Sequence, residues 1–372
     1  MKKIAVAVLA GLTLACCGGA AQDPLQRRAQ NDLSEFTSWL EDAGARGFIG
    51  EVGWPHGADA GKWNALAERW YAAADDARLW VTAWATGEWW GDRYPLAAYE
   101  RSGDGGPVDT AEAQAKVVER HASARGYMRG INDAGGAFGA PVDEPTSEFS
   151  NRNPGRYGVA YHYDSQETLD YLADRAIDLI RLPFRWERLQ PRPGQKLDPE
   201  ELARIRGAVR RAHRAGLDVI LDMHNYGAYY LSDGSRGVRR AIGSSAVSIE
   251  VLADAWRRIA AAFGSEPGVL GYDLMNEPVG LPAGGGSDPR DVWDEASQAA
   301  LDAIRAEGDG HWIFVEGYGG AGTHGWAQEN PQPWIHDPAG RFFYEAHQYF
   351  DPDRSGTYRN GYDEDLAALE GS

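Results

Sequence analysis

A chain of 372 residues with 43% hydrophobic and 25% charged side chains can build a large core, which excludes a mini-protein and wholesale disorder. Its 55 acidic side chains outnumber 37 basic ones for a formal net charge of −18, a field that repels phosphate and argues against a nucleic-acid partner. The 14 Trp and 17 Tyr, against 10 Phe, supply flat faces with polar edges suited to stacking on sugars as well as to core packing.

Lys2 and Lys3 precede an apolar run over 4–15 that is too short to span a bilayer, followed by Cys16 and Cys17. This is the pattern of an export signal, expected over 1–22. Both Thr13-Leu14-Ala15-Cys16 and Leu14-Ala15-Cys16-Cys17 resemble a lipoprotein cleavage box. A lipid anchor at Cys16 or Cys17 is therefore expected, on a protein that is membrane-anchored outside the cytoplasm or secreted. These are the only two cysteines. They leave no thiol in the body for a disulfide framework, a nucleophile or a zinc site.

Leu33, Phe36, Trp39 and Leu40 recur at helical spacing and predict a helix over 32–43, stopped by Gly44. A buried strand over 47–52 follows, then a helix over 63–74 and a strand over 79–84. A helix over 110–124 leads into a strand over 127–131. Beyond a long Gly/Pro-rich loop come helix 166–175 and strand 178–182, then helix 199–214 and strand 217–222. Helix 249–263 precedes strand 269–274, helix 291–306 precedes strand 311–315, and the last strand covers 341–346. Eight apolar strands alternating with helices predict parallel pairing and a single (β/α)8 TIM barrel over 30–372. The alternative, an open doubly wound sheet, usually carries a Gly-rich phosphate loop after its first strand, and none stands there. The chain opens on a helix and has little left after its eighth strand. Because a barrel is cyclic, that opening helix can fill the slot after the last strand.

Chemistry in such barrels gathers at the carboxyl ends of the strands. Those ends carry Glu51, Trp84, Asn132 with Asp133, Arg181, His224 with Asn225, Asn276 with Glu277, Glu316, and His347 with Tyr349. Taken alone, Asn276-Glu277-Pro278 reads as a turn with a solvated acid, and Glu51 is equally ordinary. Position in the ring changes that reading. Three steps from the Glu277 strand, past those of Val315 and Ala346, lead to the Glu51 strand, so two carboxylates are expected to face each other across the mouth. Paired carboxyls flanking a glycosidic bond are the apparatus of sugar hydrolysis.

Six segments, Ile180-Arg181-Leu182-Pro183-Phe184, Asp222-Met223-His224-Asn225, Leu274-Met275-Asn276-Glu277-Pro278, Glu345-Ala346-His347-Gln348-Tyr349, Phe48-Ile49-Gly50-Glu51 and Thr82-Ala83-Trp84, together resemble glycoside hydrolase family five, the cellulase-type barrels. The resemblance implies that Glu277 is the general acid/base and Glu51 the nucleophile. It implies that Arg181, His224, Asn276, His347, Tyr349 and Trp84 line the site. In that family the nucleophile segment follows the His-x-Tyr segment, whereas here Glu51 and Trp84 come first. The order resembles a circularly permuted member, broken after the strand carrying His347 and Tyr349.

These roles predict a retaining, two-step reaction with Glu51 ionised beside Arg181, and Glu277 kept protonated by repulsion from Glu51 and partial burial. Asn276 suits the sugar 2-hydroxyl, Tyr349 can orient Glu51, and Trp84 can floor the bound sugar. No His-x-x-x-His or His-x-His pair accompanies His224 or His347, so no metal and no cofactor are expected. Trp54, Trp89, Trp90 and Trp186 follow strands and are candidate sugar platforms; Trp39 and Trp63 lie on helices and read as core. The resemblance implies endo-cleavage of a β-1,4-glucan polysaccharide or oligosaccharide, and a monomer is expected. Mannan, xyloglucan and β-1,3-glucan remain open as substrates, as do a catalytically silent sugar-binding barrel and a metal-dependent amidohydrolase-like barrel.

Overall fold

Eight parallel strands close on themselves in the computed structural model, which describes residues 23–90, 94–103, 105–283 and 288–370. The export signal expected over 1–22, with Cys16 and Cys17, lies outside the described residues. The strands are β1 (Gly47–Gly53), β2 (Trp80–Thr86), β3 (Arg129–Asp133), β4 (Leu179–Phe184), β5 (Asp218–Met223), β6 (Val269–Asp273), β7 (Trp312–Glu316) and β8 (Phe342–Tyr349). Each pairs with its neighbours in sequence, and β1 closes the ring on β8, where Glu51 stands opposite His347. The architecture is a (β/α)8 barrel, as the alternation of elements predicts.

The helices longer than one turn are α1 (Pro24–Ala43), α2 (Ala60–Asp76), α3 (Ala115–Arg120), α4 (Gln166–Ala173), α5 (Pro199–Ala215), α6 (Ile249–Phe263), α7 (Pro289–Ala306) and α8 (Tyr362–Glu370). The opening helix α1 starts earlier than its apolar spacing predicts, because Asp23 caps it and Pro24 occupies its first turn. It packs against β8: Trp39 meets Tyr344 edge-on at 4.9 Å, and Gln348 donates to the Ala29 carbonyl at 2.7 Å. So α1 fills the slot that follows the eighth strand.

Two expectations need correction. The helix expected over 110–124 is only six residues long, because Thr110–Ala111 pairs with Tyr99–Glu100 as a short antiparallel ladder. The regions read as loops also hold a sheet: Ala228–Ser232 and Gly237–Ala241 form a hairpin, joined by Thr146–Ser147. Its turn is set by Asp233, whose side chain accepts the N–H groups of Ser235 and Arg236.

The barrel interior differs from end to end. At the amino end Phe48, Leu179, Ile220, Phe314 and Phe343 interlock under Trp80 and Trp312. At the carboxyl end the side chains turn polar, and the candidate site begins there. Among the described residues no helix is long and apolar enough to cross a membrane.

Candidate active site

Arg181 stands at the centre of the carboxyl end, with its side chain fully buried. Its Nε and Nη2 donate to Asp273 Oδ2 at 2.9 and 2.6 Å. Nη1 donates to Glu51 Oε1 at 3.0 Å and Asn132 Oδ1 at 2.9 Å. Nη2 also reaches Asn276 Oδ1 at 2.9 Å and Glu316 Oε1 at 3.1 Å. With Asp222 at 3.1 Å and Glu345 at 3.3 Å, five carboxyl groups surround one guanidinium. Buried charge persists only where it is paired, and here acids exceed the cation. Burial favours their protonated forms: it pushes Asp222 and Asp273 up to about 6, Glu316 to about 8 and Glu345 well above the usual range. Gly50 is required beneath this cluster, since a Cβ there would lie 1.7 Å from Glu345 Oε1.

Above Arg181 the two predicted acids meet. Tyr349 Oη donates to Glu51 Oε2 at 2.5 Å, while His347 Nδ1 lies 2.9 Å from Glu277 Oε1 and 3.7 Å from Glu51 Oε2. One oxygen of each glutamate and this ring nitrogen all lie within 4.8 Å of one another. The protonated Glu277 expected above does not describe the free protein. Burial raises its pKa, but the hydrogen bond and charge of His347 outweigh burial and the net shift is downward. Burial likewise opposes the His347 imidazolium, yet Glu316, Glu51 and Glu277 hold its pKa well above the ordinary value. The charge of His347 is the factor that carboxyl–carboxyl repulsion alone leaves out.

Glu277 sits at φ +44°, a left-handed conformation uncommon outside glycine. Its N–H donates to Glu316 Oε2 at 2.5 Å. Glu316, given no role from sequence, thus ties the Glu277 backbone to Arg181. Asn276 uses its carbonyl oxygen on Arg181 and leaves Nδ2 buried without a hydrogen-bond partner, a donor still to be satisfied.

His224 forms the opposite wall. Its Nδ1 lies 2.7 Å from Asp222 Oδ2 and its Nε2 3.1 Å from Tyr226 Oη, and burial pushes its pKa down to about 3, so the ring is neutral. Trp84 lies nearly parallel to it, 16° apart with centroids at 5.9 Å, and donates Nε1–H to Tyr94 Oη at 2.7 Å. Tyr94 and Tyr226 are site groups that sequence reasoning missed; Tyr226 follows directly on the His224-Asn225 strand end. Asn225 itself points away, into a buried network with Glu187 and Trp186.

The structure therefore brings Glu51, Glu277, Arg181, His224, Asn276, His347, Tyr349 and Trp84 to one mouth. The aromatic platforms divide. Trp54 and Trp186 are buried, bonded through Nε1 to Asn64 and Gln190, and cannot serve. Trp89 and Trp90 remain half-buried, Trp89 stacked 9° from Phe138 at 5.9 Å. Trp39 and Trp63 are core, as their helical positions indicate. Glu51, Glu277 and His347, and Glu316, Glu345 and His347, each gather three ligand-type atoms. Arg181 beside both sets supplies the positive charge that a metal would bring.

The model of the family described as cellulase (glycosyl hydrolase family 5) matches residues 137–370. The chain belongs to this family. Endoglucanase gh5-1 of Neurospora crassa is 30% identical over 231 residues, 61% of this chain and 52% of that protein. The endoglucanase Cel5A of Pseudomonas stutzeri, solved in complex with cellobiose, superposes with a TM-score of 0.52 at 40% identity, covering 62% of each chain. XacCel5A, solved in complex with cellopentaose, gives a TM-score of 0.52 at 32% identity over 65% of this chain and 73% of that one. The family 5 chain thus spans about half the length of the fungal relative it matches. Its family match begins after β3, so β1 with Glu51 and β2 with Trp84 lie ahead of it.

Proposed function

We propose that this protein is a retaining, endo-acting glycoside hydrolase that cleaves β-1,4-glucan by double displacement. The observation that carries the proposal is that one carboxylate oxygen of Glu51 and one of Glu277 lie within 4.8 Å of each other, both in reach of His347 Nδ1. Retaining enzymes hold their carboxyl groups about 5–5.5 Å apart, against about 6.5–9.5 Å where water must fit between them. Glu51, bound by Arg181 and Tyr349, attacks the anomeric carbon. Glu277 protonates the departing oxygen, then takes a proton from the water that releases the glycosyl-enzyme. The proton Glu277 needs lies one hydrogen bond away, on His347 Nδ1. Asn276 Nδ2 is free to donate to the sugar 2-hydroxyl, Trp84 floors the sugar, and Trp89 and Trp90 extend the aromatic rim along a longer chain. Endo-cleavage and the glucan preference draw on the relatives named above.

We read the chain as circularly permuted within its family. Three barrel strands precede the matched segment, and α1 fills the slot after β8. The export signal and lipid anchor at Cys16 or Cys17 belong to the same proposal and place the enzyme outside the cytoplasm.

The test is product analysis on carboxymethyl-cellulose, glucomannan, xyloglucan and a β-1,3-glucan, with anomers followed by NMR. Rapid viscosity loss on carboxymethyl-cellulose and initial release of the β-anomer are expected. Initial α-anomer would overturn retention, preference for another polymer would move the substrate, and no sugar release from any would leave a silent binding barrel.

A further inference from the structure

The mouth does not account for a second group of side chains at its flank, where the segment after β2 meets the segment before α4. His162 Nε2 lies 2.9 Å from Asp164 Oδ1 and 3.5 Å from Glu88 Oε2. Asp164 Oδ1 also accepts the Glu88 N–H at 3.0 Å, and Glu88 Oε1 is bonded by Ser165 and Thr168, so all three side chains are held in place. The three offer ligand atoms that all lie within 4.8 Å of one another.

A separate observation points to a ligand. Asp133, at the carboxyl end of β3, is 2% exposed, and its Oδ1 has no hydrogen-bond partner. The charged groups that face it are Asp164, His162, Glu88 and Arg211. Asp164 Oδ2 is likewise buried without a partner. Two orphaned buried carboxyl oxygens, in a group of three acids that face one imidazole and one guanidinium, are acceptors still to be satisfied.

We propose that Glu88, His162 and Asp164 form a structural site for a divalent transition ion of the Zn2+ type, with the buried Asp133 carboxyl group beside it. A dication bound through His162 displaces the imidazole proton and, with Arg211, balances the three carboxylates. Ligands about 2.0–2.1 Å from a tetrahedral zinc stand about 3.3 Å from one another, and the 2.9 and 3.5 Å separations bracket that value. Few oxygens and one imidazole suit such an ion better than calcium, which takes six to eight oxygens. Two surface depressions share Glu88 and His162 in their walls and give the ion a route in. Bound there, it would fasten Glu88, and so the adjoining Trp89, to the barrel rim.

The test uses the full chain, stripped with chelator and then given ZnCl2. One equivalent of zinc retained through gel filtration and a rise in Tm of about 5 °C are expected. His162→Gln and Asp133→Asn should each weaken retention by roughly tenfold or more, while Glu51→Gln retains zinc. Absence of zinc retention and of any Tm shift in the unmutated protein would overturn the proposal. So would retention that survives both flank variants, or that Glu51→Gln abolishes, since the zinc would then sit elsewhere.

Discussion

The two ends of one barrel solve the same filling problem with opposite chemistry. At the amino end Phe314 stacks on Phe343 at 14° and 5.3 Å and meets Phe48 edge-on at 4.9 Å, so the interior is closed by apolar contact. At the carboxyl end the same strands carry Arg181 and five carboxyl groups. The apolar end gains stability from area removed from water, a term indifferent to pH. The polar end depends on pairing and protonation, and it holds two glutamates at a spacing that bulk water would not maintain. One end supplies stability and the other spends part of it on position.

This contrast can be broken most severely at the two acids. Glu51→Gln and Glu277→Gln should lower glucan turnover by at least about 10²–10⁴-fold while leaving Tm nearly unchanged. Near-normal rates in either would remove that residue from the mechanism. Arg181→Met should destabilise by about 3–5 kcal/mol at neutral pH, because it strands buried carboxylates. That loss should shrink towards pH 5 as the acids take up protons, and denaturant unfolding across pH would check it. Phe314→Ala should cost a similar amount, about 3–5 kcal/mol, but by an equal margin at every pH and with kcat intact wherever the protein is folded. A cost that varies with pH at Phe314, or fails to vary at Arg181, would contradict the contrast between the ends.

The last variant concerns Glu316, and its signature is a slope of stability with pH. Its pKa in the fold, pushed up to about 8, exceeds that of an unfolded glutamate near 4.5, so the folded state binds its proton more tightly. Stability is then lost as pH climbs from about 4.5 to about 8, by at most about 1.4 kcal/mol per unit. Glu316→Gln should flatten this fall, which thermal melts between pH 5 and 8 would show.

Much of this was legible in the residues because a barrel imposes periodicity. Apolar strands spaced by helices announced the eight-fold ring, and polar residues at strand ends announced Arg181, His224, Asn276, Glu277, His347 and Tyr349. What escaped had no periodic signature. The hairpin over Ala228–Ser232 and Gly237–Ala241 is built within a connection, and its one local signal is the turn at Asp233. Trp54 and Trp186 follow strands just as Trp89 does, yet packing buries the first two and leaves the third on the rim.

The sequence by itself determined which elements form and in what order, since helix and strand periods and strand-end polarity are local properties of the chain. The ring order already set Glu51 and Glu277 facing each other; only the tertiary structure decided that His347 Nδ1 stands within reach of both. It alone decided the protonation of the mouth, because a pKa answers to every charge and every desolvating neighbour in space. Glu316 holds the Glu277 backbone, and His347 draws Glu277 towards its ionised form, through contacts that no local pattern in the chain encodes.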